Sequence, residues 1–147
     1  SKPGRYSHAL SQPMDVAATI LAAASVTHPG SNYKGRDVFP LQGRSLLSLI
    51  NNQTDRIYAK DEAVVIELLG NGAILMDKWK LMRMRAGSGG SNEWELFDLV
   101  NDPQESTDLK LEFPEVYEGM LAKYQAYAQQ YNIVPVADDW IHRPGSE

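Results

Sequence analysis

The residues best able to do chemistry in this chain are carboxylates. Asp98, Asp102, Glu105 and Asp108 fall within one short stretch, and a cluster of hard oxygen donors is what a calcium ion takes. They lack the Asp-x-Asp-x-Asp-Gly order of a calcium loop, and capping and turn formation is their plainer role. Asp138-Asp139 imitates a second acidic pair but has no apolar strand before it. His8, His28 and His142 are too scattered to propose a zinc site or a base with its partner; His28, in a loop, is the best placed of them to reach a cleft. Gly43-Arg44-Ser45 opens a short apolar helix whose amides would suit a phosphate or sulfate. The competing reading has Ser45 capping, Arg44 in a structural ion pair, and Leu46, Leu47, Leu49 and Ile50 packing. Cysteine is absent, which removes disulfides, thiolate metal sites and a cysteine nucleophile together.

Composition narrows the partners. With 43% hydrophobic and 22% charged residues in 147, the chain can bury a core and reads as one globular domain of ordinary size. Its 14 basic and 19 acidic residues leave a net charge of −5 with no basic cluster, so neither nucleic acid nor an anionic membrane is expected as a partner. No apolar run reaches the ~20 residues of a membrane helix, and no signal-like segment opens the chain. Missing cysteine says little about compartment, which stays open between the periplasm and the cytoplasm of a bacterium.

The elements that would position these residues emerge from periodicity. Val16 to Tyr33 contains no Asp, Glu, Lys or Arg, and Val16 to Val26 reads as a helix that is small or apolar all round, capped by Asp15 or Ser11 and ended by His28-Pro29-Gly30. A helix without a polar stripe is normally buried on most sides, which this chain cannot easily provide. Residues 29–57 form an irregular connection with a short helix at Ser45 to Ile50, and Asn51 to Asp55 is an exposed loop. From Ala63 the period becomes that of a sheet: Val64, Ile66 and Leu68 share a face, Asn71-Gly72 is the type I′ hairpin signal, and Ala73 to Met76 returns. A turn at Asp77-Lys78 leads to Trp79 to Arg85, a flexible Gly/Ser loop spans Ala86 to Asn92, and a last strand runs from Trp94 to Val100. Asn101-Asp102-Pro103 stops it, because Pro103 has no amide for a ladder. Pro114 to Tyr131 reads as a helix with Pro114 at its first position, Glu115 and Glu118 near its positive end, and Tyr117, Leu121, Tyr124, Ala128 and Tyr131 along one stripe. Trp79 and Trp94 are expected to cover that stripe.

Four segments, in order, resemble the C-terminal part of the sulfatase family, the arylsulfatase branch most closely. They are Met14-Asp15-Val16-Ala17-Ala18-Thr19-Ile20-Leu21, Gly43-Arg44-Ser45-Leu46-Leu47, Asp77-Lys78-Trp79-Lys80-Leu81, and Trp94 to Leu109, where Trp94-Glu95-Leu96-Phe97-Asp98-Leu99 runs into Asp102-Pro103-Gln104-Glu105. The resemblance covers nearly the whole chain but only the last quarter or so of a sulfatase.

The resemblance implies an α+β fold: a four-stranded antiparallel sheet covered by a long C-terminal helix, preceded by a helix and long loop that belong to a larger α/β domain. Residues 1–57 are then the terminal helix and connection from the catalytic domain, 58–131 the sheet and helix subdomain, and 132–147 a tail. It also implies a sulfuric ester hydrolase of the alkaline phosphatase-like superfamily, acting in full length on a small sulfate ester with calcium and a formylglycine. Other members of that superfamily, hydrolysing phosphate or phosphonate monoesters, and a stand-alone binding module centred on Arg83, Arg85 and the loop at Ala86 to Asn92, are the alternatives. Ser1-Lys2-Pro3-Gly4-Arg5 fits the coarse Cys/Ser-x-Pro-x-Arg pattern from which formylglycine is made, but its fourth position and the residues after Arg5 depart from the family. The calcium aspartates and the catalytic lysines and histidines of the family lie upstream. No catalytic, cofactor or metal residue is therefore carried onto this chain, which alone is expected to be inactive, to bind no cofactor, to pair with its own N-terminal catalytic domain, and otherwise to self-associate.

Overall fold

The computed structural model describes residue 4 and residues 6–136 of the 147. The chain divides into two compact units between Ala59 and Lys60. The first contains α1 (Pro13–Ala23), a two-stranded hairpin of β1 (Asn32–Tyr33) and β2 (Arg36–Asp37), and α2 (Leu47–Ile50). The second contains β3 (Val64–Leu68), β4 (Asn71–Met76), β5 (Trp79–Arg83) and β6 (Trp94–Asp98), succeeded by α3 (Pro114–Gln130).

In the second unit the strands pair antiparallel in the order β3-β4-β5-β6. The register sets Val65 opposite Ile74, Ile74 opposite Leu81 and Leu81 opposite Leu96. A row of apolar side chains therefore crosses one face, and Met120 and Tyr124 of α3 close over it. Ile74, Leu81, Leu96 and Met120 are fully buried, and each such burial is worth about 1.5–3 kcal/mol. Phe113, Val116, Tyr117, Leu121, Ala128, Trp79 and Trp94 pack around this centre. Trp94 meets Tyr124 edge-on with 4.6 Å between ring centroids, and Trp79 lies 4.9 Å from Phe113. The α+β class, the antiparallel meander and the covering helix are all as expected.

Three local expectations are corrected. The first hairpin turns at Leu69-Gly70, with φ of 53° and 82°, and not at Asn71-Gly72, which lies within β4. Gly72 serves packing: a Cβ there would overlap the hydroxyl and ring of Tyr124. Leu69 tolerates its left-handed conformation because the turn is clamped from β5 and the segment after it. Arg85 Nη1 donates to the Leu69 carbonyl at 3.0 Å and Arg83 Nη2 to that of Gly70 at 3.3 Å.

The loop from Ala86 to Asn92 is organised. Ala86–Ser88 is a 3₁₀ turn, the amides of Gly90 and Asn92 donate to the carbonyls of Arg85 and Met84, and Asn71 Nδ2 donates to Ser88 Oγ at 3.2 Å. A Cβ at Gly90 would overlap the Met84 carbonyl, so the glycine permits this close approach.

The first helix begins at Pro13, three residues earlier than its apolar run suggests, with Pro13 at a position where no amide is needed. Neither Asp15 nor Ser11 is its N-cap. Gln12 holds that place, and Asp15 reaches back from the first turn to accept the Gln12 amide at 2.7 Å. A short hairpin at Asn32 to Asp37 interrupts the irregular connection; Lys34 and Gly35 turn it with positive φ.

Candidate functional site

The acid-rich segment after β6 is where the sequence concentrates its oxygen donors. Asp98, 4% exposed, accepts from Lys78 Nζ at 2.6 Å, the Val100 and Asn101 amides at 3.0 and 3.2 Å, and Asn101 Nδ2 at 2.9 Å. The ammonium of Lys78 and these donors outweigh burial and hold its carboxyl down at about 2. Burial would raise Asp102, but the Thr107 amide and the hydroxyl and amide of Ser106 bring it below its ordinary range. Asp108 behaves in the same way: against burial, the amides of Leu96 and Lys110 and the Lys110 ammonium lower it. Glu105 instead pairs with Lys80, Nζ to Oε2 at 2.6 Å. Each carboxylate thus already serves the loop's own donors. Charged, saturated carboxylates brace a backbone and are poor proton donors at neutral pH.

The Gly43-Arg44-Ser45 turn carries an anion of its own chain. Asp15, 0% exposed, accepts the Arg44 amide at 2.8 Å and the Tyr58 hydroxyl at 2.8 Å. The Leu46 amide donates to Thr19 Oγ1 at 2.9 Å, whose own proton goes to the Asp15 carbonyl at 2.7 Å. Ser45 Oγ accepts the Leu47 amide at 3.3 Å. The amides that would meet a sulfate or phosphate are therefore occupied by Asp15, Thr19 and Ser45. Burial pushes the Asp15 carboxyl up, and the amides of Arg44 and Gln12, the Tyr58 hydroxyl and the Arg44 charge bring it below its ordinary value. Arg44 also lies over the Tyr58 ring, 5.0 Å from its centroid. Gly43 lets the turn pass against α1, because a Cβ there would overlap the Met14 carbonyl.

The second unit holds one further buried polar node, which sequence reasoning missed. Tyr124 donates to Glu67 Oε2 at 2.6 Å, and the Gly70 amide donates to Oε1 of the same carboxylate at 2.9 Å. Burial first, and Glu67 second, push the Tyr124 phenol far above its ordinary range, so it stays protonated. Arg83 stands over Trp94, 5.6 Å from the ring centroid. Arg83 and Arg85, expected as neighbours of a binding loop, serve the β3-β4 turn instead, and Arg85 is 1% exposed.

His8 and His28 lie in loops of the first unit and are not brought together with any acidic partner that would make a base. His28 Nδ1 accepts the Gly30 amide at 3.1 Å, a local turn bond. Ser1, Arg5, Asp138-Asp139 and His142 fall outside the described residues. Among the described residues no group of three His, Asp or Glu side chains is placed to hold a metal ion. The donors present are committed to backbone amides and lysines, so they do not fit the calcium that the resemblance implies, and no chemical step is drawn through it. No helix of the described residues is long and apolar enough to cross a membrane.

No family model matches the chain. An uncharacterized sulfatase of Schizosaccharomyces pombe is 28% identical over 140 residues, which is 95% of this chain and 25% of that protein. The chain thus spans about a quarter of this curated relative. Among solved structures, a protein designated BT33336S-sulf, from the metabolism of multiple glycosaminoglycans by Bacteroides thetaiotaomicron, matches with a TM-score of 0.63 and 19% identity over 84% of this chain and 26% of its own. A protein solved in complex with its substrate D-glucosamine-2-N,6-O-disulfate matches with a TM-score of 0.63 and 22% identity, covering 89% of this chain and 26% of its own. At these identities the solved structures carry the fold alone. The sequence match and the shared fold together support this chain as the C-terminal part of a sulfatase.

Proposed function

We propose that the chain is the C-terminal subdomain of an arylsulfatase-type sulfuric ester hydrolase, supplying packing and part of the cleft rim to its own catalytic domain. The whole enzyme hydrolyses a small sulfate ester with calcium and formylglycine, both held by residues outside this chain. The observation that carries this reading is the match along 95% of this chain to only 25% of a sulfatase. It is reinforced by the chemistry of the described carboxylates, all engaged by their own chain, and by an apolar α1 whose Ile20 is 63% exposed, as expected of a helix that normally lies against a larger body.

The test has two arms. Assayed alone with a chromogenic aryl sulfate and calcium, the chain gives no turnover; calcium-dependent turnover that disappears in Ser1→Ala would overturn the subdomain reading. Coding sequence upstream of Ser1 is expected to contain Cys/Ser-x-Pro-x-Arg and paired aspartates, and the extended protein to release sulfate. An extended protein that instead cleaves phosphate or phosphonate monoesters would move the activity to another branch of the superfamily.

A further inference from the structure

The two edges of the four-stranded sheet are treated differently. On β6, residue Leu96 points its backbone groups away from β5, and both are taken: its amide donates to Asp108 Oδ1 at 3.0 Å, and its carbonyl accepts the Leu109 amide at 2.8 Å. The edge is closed by the acid-rich segment. On β3, the two-residue turn makes Leu68 and Asn71 a hydrogen-bonded pair, and the alternation then gives Ile66 with Ala73 and Val64 with Leu75. Val65 and Glu67 must point their N–H and C=O outward, and no described residue bonds them there. None of the usual edge guards is present in Val64-Val65-Ile66-Glu67-Leu68: no Lys, no Pro, no bulge. Ile66 and Leu68 are 48% and 66% exposed on the face away from α3.

We propose that this edge pairs with the same edge of a second copy, antiparallel about a two-fold axis through Ile66. The strand is self-complementary in that register. Val65 of each copy faces Glu67 of the other as a hydrogen-bonded pair, which uses all the outward backbone groups of those residues. Ile66 faces Ile66, and Leu68 faces Val64, so apolar side chains meet on the exposed face. Glu67 opposes a valine rather than a second Glu67, and its charge is held by Tyr124 on the other face, so no like charges are opposed. A one-residue shift would turn the outward groups and the side-chain faces out of step. Two sheets of four strands become one of eight.

Because the chain has no cysteine, a single introduced thiol can form a disulfide only between copies. Directly opposed residues in a non-hydrogen-bonded pair bring their Cβ atoms to roughly 4.5–5.5 Å, near disulfide reach. Ile66→Cys is expected to cross-link rapidly under mild oxidation, whereas Leu68→Cys, displaced along the strand from its own symmetry mate, and Ile20→Cys on α1 are not. Light scattering should show a dimer that Ile66→Lys dissociates, raising the dissociation constant roughly tenfold or more, with an unchanged circular dichroism spectrum. A monomer at every concentration, or Ile66→Cys cross-linking no faster than Leu68→Cys, would overturn the proposal. Cross-linking through Ile20→Cys alone would place association on α1 instead and overturn it as well. Should Ile66→Lys unfold, the thiol series still decides.

Discussion

The two units of this chain are held together by opposite means. In the second, a continuous apolar row from Val65 to Leu96 lies under Met120 and Tyr124, and polar groups decorate its margin. In the first, Ala18 and Leu49 are the only buried apolar residues among those described, and the centre is a carboxylate, Asp15, that collects donors from Gln12, Arg44 and Tyr58. Apolar burial is tolerant of small displacements, whereas a buried carboxylate is stabilising only while every donor stays in place. The first unit is therefore specified by geometry and the second by volume.

Truncation of the apolar row should produce the largest loss. Leu81→Ala is expected to cost about 2–5 kcal/mol through lost transfer energy and a residual cavity, read as a lower denaturant midpoint of Trp79 and Trp94 fluorescence. A midpoint equal to wild type would mean that the sheet is not what the helix stabilises.

Removal of the carboxylate should produce a smaller and local loss. Asp15→Ala orphans the Arg44 amide and the Tyr58 hydroxyl, and a buried donor left unsatisfied costs about 1–3 kcal/mol. Hydrogen exchange should accelerate over residues 13–58 while protection of β4 and β5 is retained. Equal loss of protection in both units would erase the distinction between them.

The mildest expected effect arises only in acid. Asp98, held at about 2 in the folded chain by Lys78 and its loop donors, titrates near 3.9 when unfolded. Its contribution is present above the unfolded value and is lost as the pH falls from about 4 to about 2. Asp98→Asn should flatten that part of the acid-unfolding curve of the second unit, monitored by tryptophan fluorescence. An unchanged acid limb would show that the Lys78 pair adds nothing to stability.

Much of this architecture is legible from residues alone, and the misses have physical causes. The strands and α3 declare themselves because alternation and the stripe through Tyr117, Leu121 and Tyr124 are local signals. Met120, the most buried residue of α3, escapes that stripe but joins it in space. Asn71-Gly72 misleads because a glycine can be required by a neighbour as well as by a turn: here the neighbour is Tyr124, and Asn71 is occupied in accepting the Arg85 amide at 2.9 Å. The role of Asp98, Asp102 and Asp108 in bracing turns is readable because their partners are close in sequence. Asp15 with Tyr58 is not, since 43 residues separate them and no local pattern announces the pair. The same limit hides Glu67 with Tyr124, 57 residues apart.

One consequence of Asp108 and Leu109 lies in the arithmetic of assembly. A sheet with two open edges can add neighbours without end, and such growth makes fibres. With the β6 side stoppered by its own loop, each molecule has a single valence, and two molecules joined through β3 have none left. Association along this direction must stop at a pair, a closed object with two-fold symmetry. The acid-rich segment, whose oxygens resemble a ligand set for cations, would then act as a terminator, fixing how many copies can share one sheet.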